Sequence, residues 1–332
     1  MPHTLTLIAG DGIGPEVAEA TVEVLAATGV NILWDRQPAG LAAVESAGKA
    51  LPDVTIDSIR RNIVALKGPT TTPVGRGHVS ANVGLRRALD LFASVRPVKT
   101  VPGIPARYEG VDLVIFRENT EGLYSGLEHE VSHGVIVSTK VVTEFATRRI
   151  AKAAFDYARD RGRRRVTAVH KANIMKLGDG FFLSVVKDVA KDYPEIKYDE
   201  AIIDSLCMRL VRDPSQFDVL VMENLYGDIV SDLCAGLVGG LGVVPGANIG
   251  EHFALFEAVH GAAPDIAGQG LANPCALLKS ATMMLEHLGE LSASERLGVA
   301  IDRVLGEGKV RTQDLGGKAG TRDMVQAVIG AM

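Results

Sequence analysis

The sequence predicts an α/β fold. Three observations predict it: short uninterrupted apolar runs of strand length, segments between them with helical spacing of apolar residues, and turns of glycine or proline where one gives way to the other. A chain of 332 residues is too long for one ordinary core and suits two lobes. With 47% hydrophobic and 23% charged residues it has the composition of a soluble globular body. A net charge of -5 and a pI near 5.9 give no global attraction to nucleic acid or to an anionic membrane surface, so neither is an expected partner.

The elements follow in order. Leu5 to Ala9 is an apolar strand that ends at Gly10-Asp11-Gly12, and Pro15 then opens a helix over 16–27, where its missing N–H costs nothing. Residues 31–34 form a second strand, 54–62 a helix, and 63–67 a strand running into Gly68-Pro69-Thr70-Thr71-Thr72-Pro73. Residues 111–117 are an apolar strand, 144–161 a helix with Ile150, Ala154 and Tyr157 on one side, 166–170 a strand and 178–193 a helix. Residues 219–223 are a buried strand feeding the next helix; after it, 233–250 read as a buried helix end followed by a glycine-rich loop. That run is too rich in glycine to span a membrane. No repeat or low-complexity tract is visible. The basic run Arg161 to Arg165 lies between a helix and a strand and reads as a solvated loop.

The first residues, MPHTLTLIAGDG, carry no basic segment followed by a long apolar one and no Arg-rich character, which predicts a cytoplasmic protein. Cys207, Cys234 and Cys275 lack metal-ligand spacing and read as small core residues in a reducing compartment.

Gly10-Asp11-Gly12-Ile13-Gly14 invites a dinucleotide-fingerprint reading. The spacing is G-x-G-x-G rather than G-x-G-x-x-G, and the one acid closing the second strand, Asp35, is followed at once by Arg36. A tight strand-to-helix turn that needs glycine fits better.

The stretch Asn224-Leu-Tyr-Gly-Asp228-Ile-Val-Ser-Asp232 puts two aspartates on one helix face, a turn apart, with nothing basic between them. Like charges so placed cost roughly 0.2–0.5 kcal/mol in an isolated helix. A hard divalent cation, Mg²⁺ or Mn²⁺, would offset that and leave positions for water and substrate. Arg86, Arg96 and Arg117 each adjoin apolar segments and need acceptors, and arginine suits bidentate carboxylate recognition. Tyr124 and Lys171 lie just past the C-terminal ends of two strands, where α/β proteins build sites. A tyrosine and a lysine near each other and a divalent cation can have their pKa values pulled toward working pH.

Together these residues resemble the decarboxylating β-hydroxyacid dehydrogenase family, which includes isocitrate, isopropylmalate and homoisocitrate dehydrogenases. The motifs NLYGDIVSD, RENTEGLY, HKANIMK and HGAAPDIAG carry the resemblance, in order, from Leu5 to near the C-terminus. Within the family the chain is most similar to the NAD-dependent isocitrate dehydrogenases. The resemblance implies a non-Rossmann α/β fold: a large cofactor-binding domain of residues 1–99 plus 241–332, and an inserted smaller α/β domain, 100–240, for dimerisation, substrate and metal. It implies a homodimer with shared active sites, Lys171 and Asp204 entering from the partner subunit.

Residue by residue, it implies that Arg86, Arg96 and Arg117 bind the substrate's carboxylates and that Ser80 and Asn82 reach the γ-carboxylate of isocitrate or a closely related 2-hydroxy acid. Asp204, Asp228 and Asp232 match the metal ligands, and Tyr124, Lys171 and Asp204 the catalytic set. Thr71, Thr72, Asn173, Glu257, His260, Gly261, Asp265, Ile266 and Asn273 match the cofactor loops. Asp265 and Ile266 stand where NADP-dependent relatives carry a basic residue and a tyrosine, which implies NAD. Glu223 departs from the close pattern, a fourth carboxylate beside the metal helix that acts as a structural ion pair or alters metal affinity.

Overall fold

The computed structural model describes residues 2–73 and 80–332. Strand β1 (His3–Ile8) leads into helix α1 (Gly14–Ala27), then β2 (Ile32–Gln37), α2 (Leu41–Ala47), α3 (Asp53–Asn62), β3 (Val64–Lys67) and α4 (Ala81–Ala88). The middle holds β4 (Ala93–Lys99), β5 (Asp112–Glu118), β6 (Gly122–Ser132), β7 (Val135–Val141), α5 (Glu144–Asp160), β8 (Arg165–His170) and α6 (Gly178–Ala190). It continues through β9 (Lys197–Ile202), α7 (Ile203–Arg212), β10 (Val219–Met222) and α8 (Asn224–Leu237). The last part is β11 (Pro245–Ile249), β12 (Ala254–Ala258), α9 (Cys275–His287), α10 (Leu291–Glu307) and α11 (Thr321–Ala331).

The contacts divide the chain into two compact units. The first comprises the described residues of 1–90, 100–107 and 238–332; the second comprises 91–99 and 108–237.

In the first unit the strand order is β2-β1-β3-β12-β11, parallel except for β11 against β12. Strand alternation decides what each face meets. Leu5 and Leu7 point into a core completed by Val17 of α1, Leu278 of α9, Ile301 of α10 and Val328 of α11, each essentially without solvent contact. Thr6, between those leucines, faces α3 and bonds Ser58 Oγ at 2.7 Å. Burying one such leucine contributes about 1.5–3 kcal/mol.

In the second unit the order is β4-β5-β10-β8-β9, with β4 antiparallel to β5 and the others parallel. Adjacent residues of β5 again part company. Phe116 packs on Tyr157 of α5, ring centroids 5.2 Å apart, while Arg117 turns to α8. Thr143 starts α5 by accepting the Ala146 N–H at 3.1 Å.

Three differences from the sequence reading have physical reasons. The ribbon β6–β7 pairs antiparallel and leaves Leu127, Val131, Val135 and Ile136 exposed, so no buried face imposes the alternation that marks a strand. The glycine-rich stretch after α8 is not all loop. Gly239 and Gly240, both at positive φ, turn the chain into β11. The basic run is not simply solvated, because Arg163 pairs with Asp112 and with Asp218, the latter at 3.1 Å. Among the described residues no helix is long and apolar enough to cross a membrane.

Candidate active site

The second unit gathers one group of the expected residues on β4, β5, β6 and α8. Arg117, 1% exposed, donates from Nε and Nη2 to Asn224 Oδ1 at 3.0 and 2.8 Å and from Nη1 to Asp228. Gly227 makes room for it, since a Cβ there would sit 2.4 Å from the Arg117 side chain. Arg96 lies 3.9 Å from Asp228 and 3.6 Å from Asp232, and also donates to Ser231 Oγ. The Tyr124 hydroxyl donates to Asp228 Oδ2, and its ring stacks against the Arg117 guanidinium at 5.0 Å.

This geometry corrects one step of the sequence argument. Nothing basic lies between the two aspartates along the chain, but in space Arg96 and Arg117 balance them. Their like charge is no evidence for a cation by itself. Burial, opposed by Arg96, raises the Asp232 carboxyl. Burial first, then its bond to Asp228, pushes the Tyr124 phenol up.

Lys171, half-buried, and Asp204, exposed, form a second group. Lys171 Nζ lies 2.5 Å from Asp204 Oδ1, and that ammonium holds the carboxyl below its usual range. Among the described residues no three acidic, histidine or cysteine side chains gather into a metal-binding set. Asp204 therefore does not join Asp228 and Asp232 within one chain. Those two offer hard oxygen donors on one helix face, which fits part of the shell of Mg²⁺ or Mn²⁺. Asn173 is exposed in the turn after β8. Glu223 is an ion-pair partner of Lys140, not an addition to the aspartates.

In the first unit the glycine turn is a hub. Asp11 N–H donates to Pro69 O at 2.7 Å and Ile13 N–H to Ala262 O at 2.8 Å. These amides are therefore not free to cradle a pyrophosphate. A Cβ on Gly10 would meet Pro69 O at 2.1 Å and one on Gly12 would meet Ala262 O at 2.0 Å, so glycine serves close packing here. Asp35 accepts from Gln37, Ser58, Arg61 and Asn62, which leaves it committed within the protein.

The turn sets the neighbouring loop. Asp11 Oδ2 accepts the Thr71 N–H at 2.7 Å, Thr72 bonds Ser80 Oγ at 3.1 Å, and Thr70 bonds Asn82 Oδ1 at 2.9 Å. Glu257, 8% exposed, is held by Lys67 at 2.7 Å, Asn248 at 2.7 Å and Arg86 at 3.4 Å. Burial alone would raise its carboxyl, but Lys67 and Arg86 prevail and draw it down to about 2. The expected cofactor contact is thus a buried counter-ion that orients Arg86, whose Nε has no hydrogen-bond partner among the described residues.

A cavity of about 460 Å³, of ligand size, is lined by His260, Gly261, Ile266 and Asn273 together with Ile13 and Asp314. Burial lowers the His260 pKa and keeps the ring neutral, with Nε2 unpartnered among the described residues. Such a mixture of apolar walls and an unsatisfied ring nitrogen fits a nucleotide. Asp265 is exposed and does not line the cavity; Thr71, Thr72 and Glu257 lie outside it as well. Asp314, which accepts from Asn273 Nδ2 at 2.9 Å, was not among the expected residues. It sits far along the chain, and only the T-x-D pattern of Thr312 and Asp314 hinted at a structured turn.

Comparison with known proteins gives a consistent picture. A family model described as isocitrate/isopropylmalate dehydrogenase matches residues 4–328. The chain is 53% identical over 328 residues to the protein named isocitrate dehydrogenase [NAD] catalytic subunit 5, mitochondrial, of Arabidopsis thaliana, covering 98% of this chain and 88% of that one. It is also 53% identical over 306 residues to the 3-isopropylmalate dehydrogenase, chloroplastic, of Solanum tuberosum, covering 92% and 86%. A crystal structure of isocitrate dehydrogenase from Methylococcus capsulatus superposes with a TM-score of 0.97 at 51% identity, covering 99% of each chain. These names overturn the cytoplasmic expectation, since the similar isocitrate dehydrogenases of eukaryotes are named mitochondrial. The expectation rested on the character of residues 1–12, and a short stretch of that kind carries no compartment label.

Proposed function

The chain belongs to the isocitrate/isopropylmalate dehydrogenase family, and we propose that it catalyses the oxidative decarboxylation of isocitrate to 2-oxoglutarate and CO₂ with reduction of NAD. The observation that carries this reading is the convergence of Arg96, Arg117 and Tyr124 on the Asp228–Asp232 face of α8.

Arg86, Arg96 and Arg117 are the partners of the substrate's carboxylates; each charge-assisted hydrogen bond contributes about 1.5–3 kcal/mol. Ser80 and Asn82 favour isocitrate, being polar where the isopropylmalate enzymes need apolar contact. A divalent cation held by Asp228 and Asp232, with Asp204 of a second copy, would supply charge stabilisation at the substrate's C2 oxygen. The Lys171–Asp204 pair helps remove the C2 hydroxyl proton, which leaves through water. Tyr124, held protonated at neutral pH, delivers a proton to C3 after CO₂ departs. The cavity at His260, Gly261, Ile266 and Asn273 is the NAD site, with NAD supplying the hydride acceptor. Exposed Asp265, a carboxylate in place of a basic residue, would repel a 2′-phosphate and supports NAD over NADP. In this assignment the first unit is the cofactor domain and the second the metal and dimerisation domain.

A homodimer with shared sites is the proposed assembly. It is supported by the exposed apolar ribbon β6–β7 and by a Lys171–Asp204 pair that has no place among the Asp228–Asp232 group of its own chain. Mass measurement of the purified chain tests it, and a chain that stays monomeric until a different subunit is added would refute it.

The decisive assay compares initial rates with isocitrate and 3-isopropylmalate, each with NAD and NADP, in Mn²⁺ and after chelation. Isocitrate with NAD should dominate and chelation should abolish it. A preference for 3-isopropylmalate would move the substrate assignment to the other branch, which the Solanum tuberosum relative keeps in view. Full activity without metal would end the mechanism. No activity from the chain alone would favour a regulatory subunit.

A further inference from the structure

A buried charge cluster in the second unit belongs to none of the roles above. Lys140 of β7, 17% exposed at its side chain, contacts Asp179 Oδ1 and Glu223 Oε2, and its ammonium lies 5.0 Å from the Tyr226 ring centroid. Asp179, in the first turn of α6, has no solvent contact. Its Oδ2 accepts the Lys171 backbone N–H at 2.6 Å and the Tyr226 hydroxyl at 3.2 Å. Glu223 sits immediately before α8, and its carbonyl accepts the Gly227 N–H at 2.9 Å, one turn from Asp228. One ammonium thus reaches the anchor of Lys171 and the root of the helix bearing Asp228 and Asp232.

Stability alone does not account for this arrangement. Removing an ammonium and two carboxylates from water costs several kcal/mol per ion, and an apolar replacement is often as stable. What such a cluster does provide is a single geometry for the segments it ties together.

We infer that Lys140 is a positioning residue for the reaction: paired with Asp179 and Glu223, it fixes the Lys171 backbone and the start of α8 in register with each other. This rests on the roles proposed above for Lys171 and Asp228.

The cluster is short of positive charge. Glu223 is faced by Lys140 of β7, Asp179 of α6, Glu118 at the end of β5, Glu121 in the following turn and Tyr226 of α8, with Arg149 of α5 acting on Glu121. Its Oε1 has no hydrogen-bond partner among the described residues and lines a cavity of about 10 Å³, room for one water. Burial pushes the Glu223 carboxyl up to about 7 against the pull of Lys140. The Lys140–Glu223 pair is therefore complete above about pH 7 and weakened below it.

The test uses the full chain as wild type, Lys140→Met and Glu223→Gln. It reads kcat against pH for isocitrate-dependent NADH formation and hydrogen exchange in peptides covering 171–179 and 221–230. Wild-type kcat should rise through an ionisation near pH 7 that Glu223→Gln lacks. Lys140→Met should lose roughly ten- to a hundredfold in kcat with KM for NAD within about twofold, since positioning rather than cofactor binding is lost. Exchange should quicken in both peptides of Lys140→Met and in 221–230 of Glu223→Gln. A folded Lys140→Met with wild-type kcat and exchange overturns the inference. If Lys140→Met does not fold, Glu223→Gln decides, and an unchanged pH profile and exchange overturn it. Wild type inactive on isocitrate would sink the proposed function instead; exchange in the two peptides would still decide whether Lys140 links them.

Discussion

The cavity of the first unit and the arginine–aspartate group of the second are finished to different degrees. The cavity has its walls, its ligand-sized volume and its neutral histidine within one chain. The charged group has spent its acceptors internally: Asp228 bonds both Arg117 and Tyr124, and Asp204 stands apart with Lys171. An apolar pocket can be preformed because its walls satisfy one another by packing. A site for a trianion and a cation cannot stay bare, since buried charges need partners at all times. Arg96, Arg117 and the aspartates therefore partner each other until substrate and metal compete for them.

Four substitutions would break or sharpen that contrast. The largest effect belongs to Asp228→Asn, which removes one of two carboxylates on the metal face. We expect kcat/KM for isocitrate to fall by about a thousandfold, ~4 kcal/mol, with NAD binding to the cavity unchanged in a fluorescence titration. Equal loss of NAD binding would mean that the two regions are not separable.

Arg117→Met strands the Asp228 charge and Asn224 Oδ1. We expect up to ~3 kcal/mol of lost stability, visible as a lower urea midpoint at unchanged slope, because buried Asn224 Oδ1 is left without donors and half-exposed Asp228 loses its nearest cation. A stability within error of wild type would show that Asp228 is hydrated well enough to stand alone.

Glu257→Gln probes the buried counter-ion that orients Arg86. The folded carboxyl is depressed to about 2 from an ordinary 4.5, so its stabilisation is fully present above pH 4.5 and is lost as pH falls through about 2. Wild type should exceed the variant by up to ~3 kcal/mol at pH 7, and the gap should close toward pH 2. A gap that persisted at pH 2 would assign the difference to packing instead of charge. The smallest effect is expected for Asn273→Ala, which trims the cavity wall: KM for NAD should rise about tenfold, ~1.4 kcal/mol, with kcat little changed.

Much of the fold was legible in the chain because its signals are local. Apolar runs at 5–9, 111–117 and 219–223 became β1, β5 and β10, and the glycine segment is the tight strand-to-helix turn expected, its close backbone approach to Pro69 and Ala262 visible only in the fold. The ribbon β6–β7 was missed because neither of its faces is buried within the chain, so its residues carry no inside and outside. Of the cofactor set, His260, Gly261, Ile266 and Asn273 line the cavity, while Glu257 proved to be a counter-ion and Asp265 a surface residue. A motif states which residues travel together, not which way each side chain points.

Sequence by itself determined the elements, the two aspartates one turn apart on α8, and the supply of arginine, tyrosine and lysine at strand ends, since each is a matter of residues near one another along the chain. Tertiary structure alone decided the pairings: Arg96 and Arg117 with the aspartates, Lys67 and Arg86 with Glu257, Lys140 with Asp179 and Glu223. Electrostatic attraction depends on distance in space, and residues 111 or 190 positions apart, as in Arg117–Asp228 and Lys67–Glu257, become neighbours only when folding packs α8 on β5 and pairs β12 with β3.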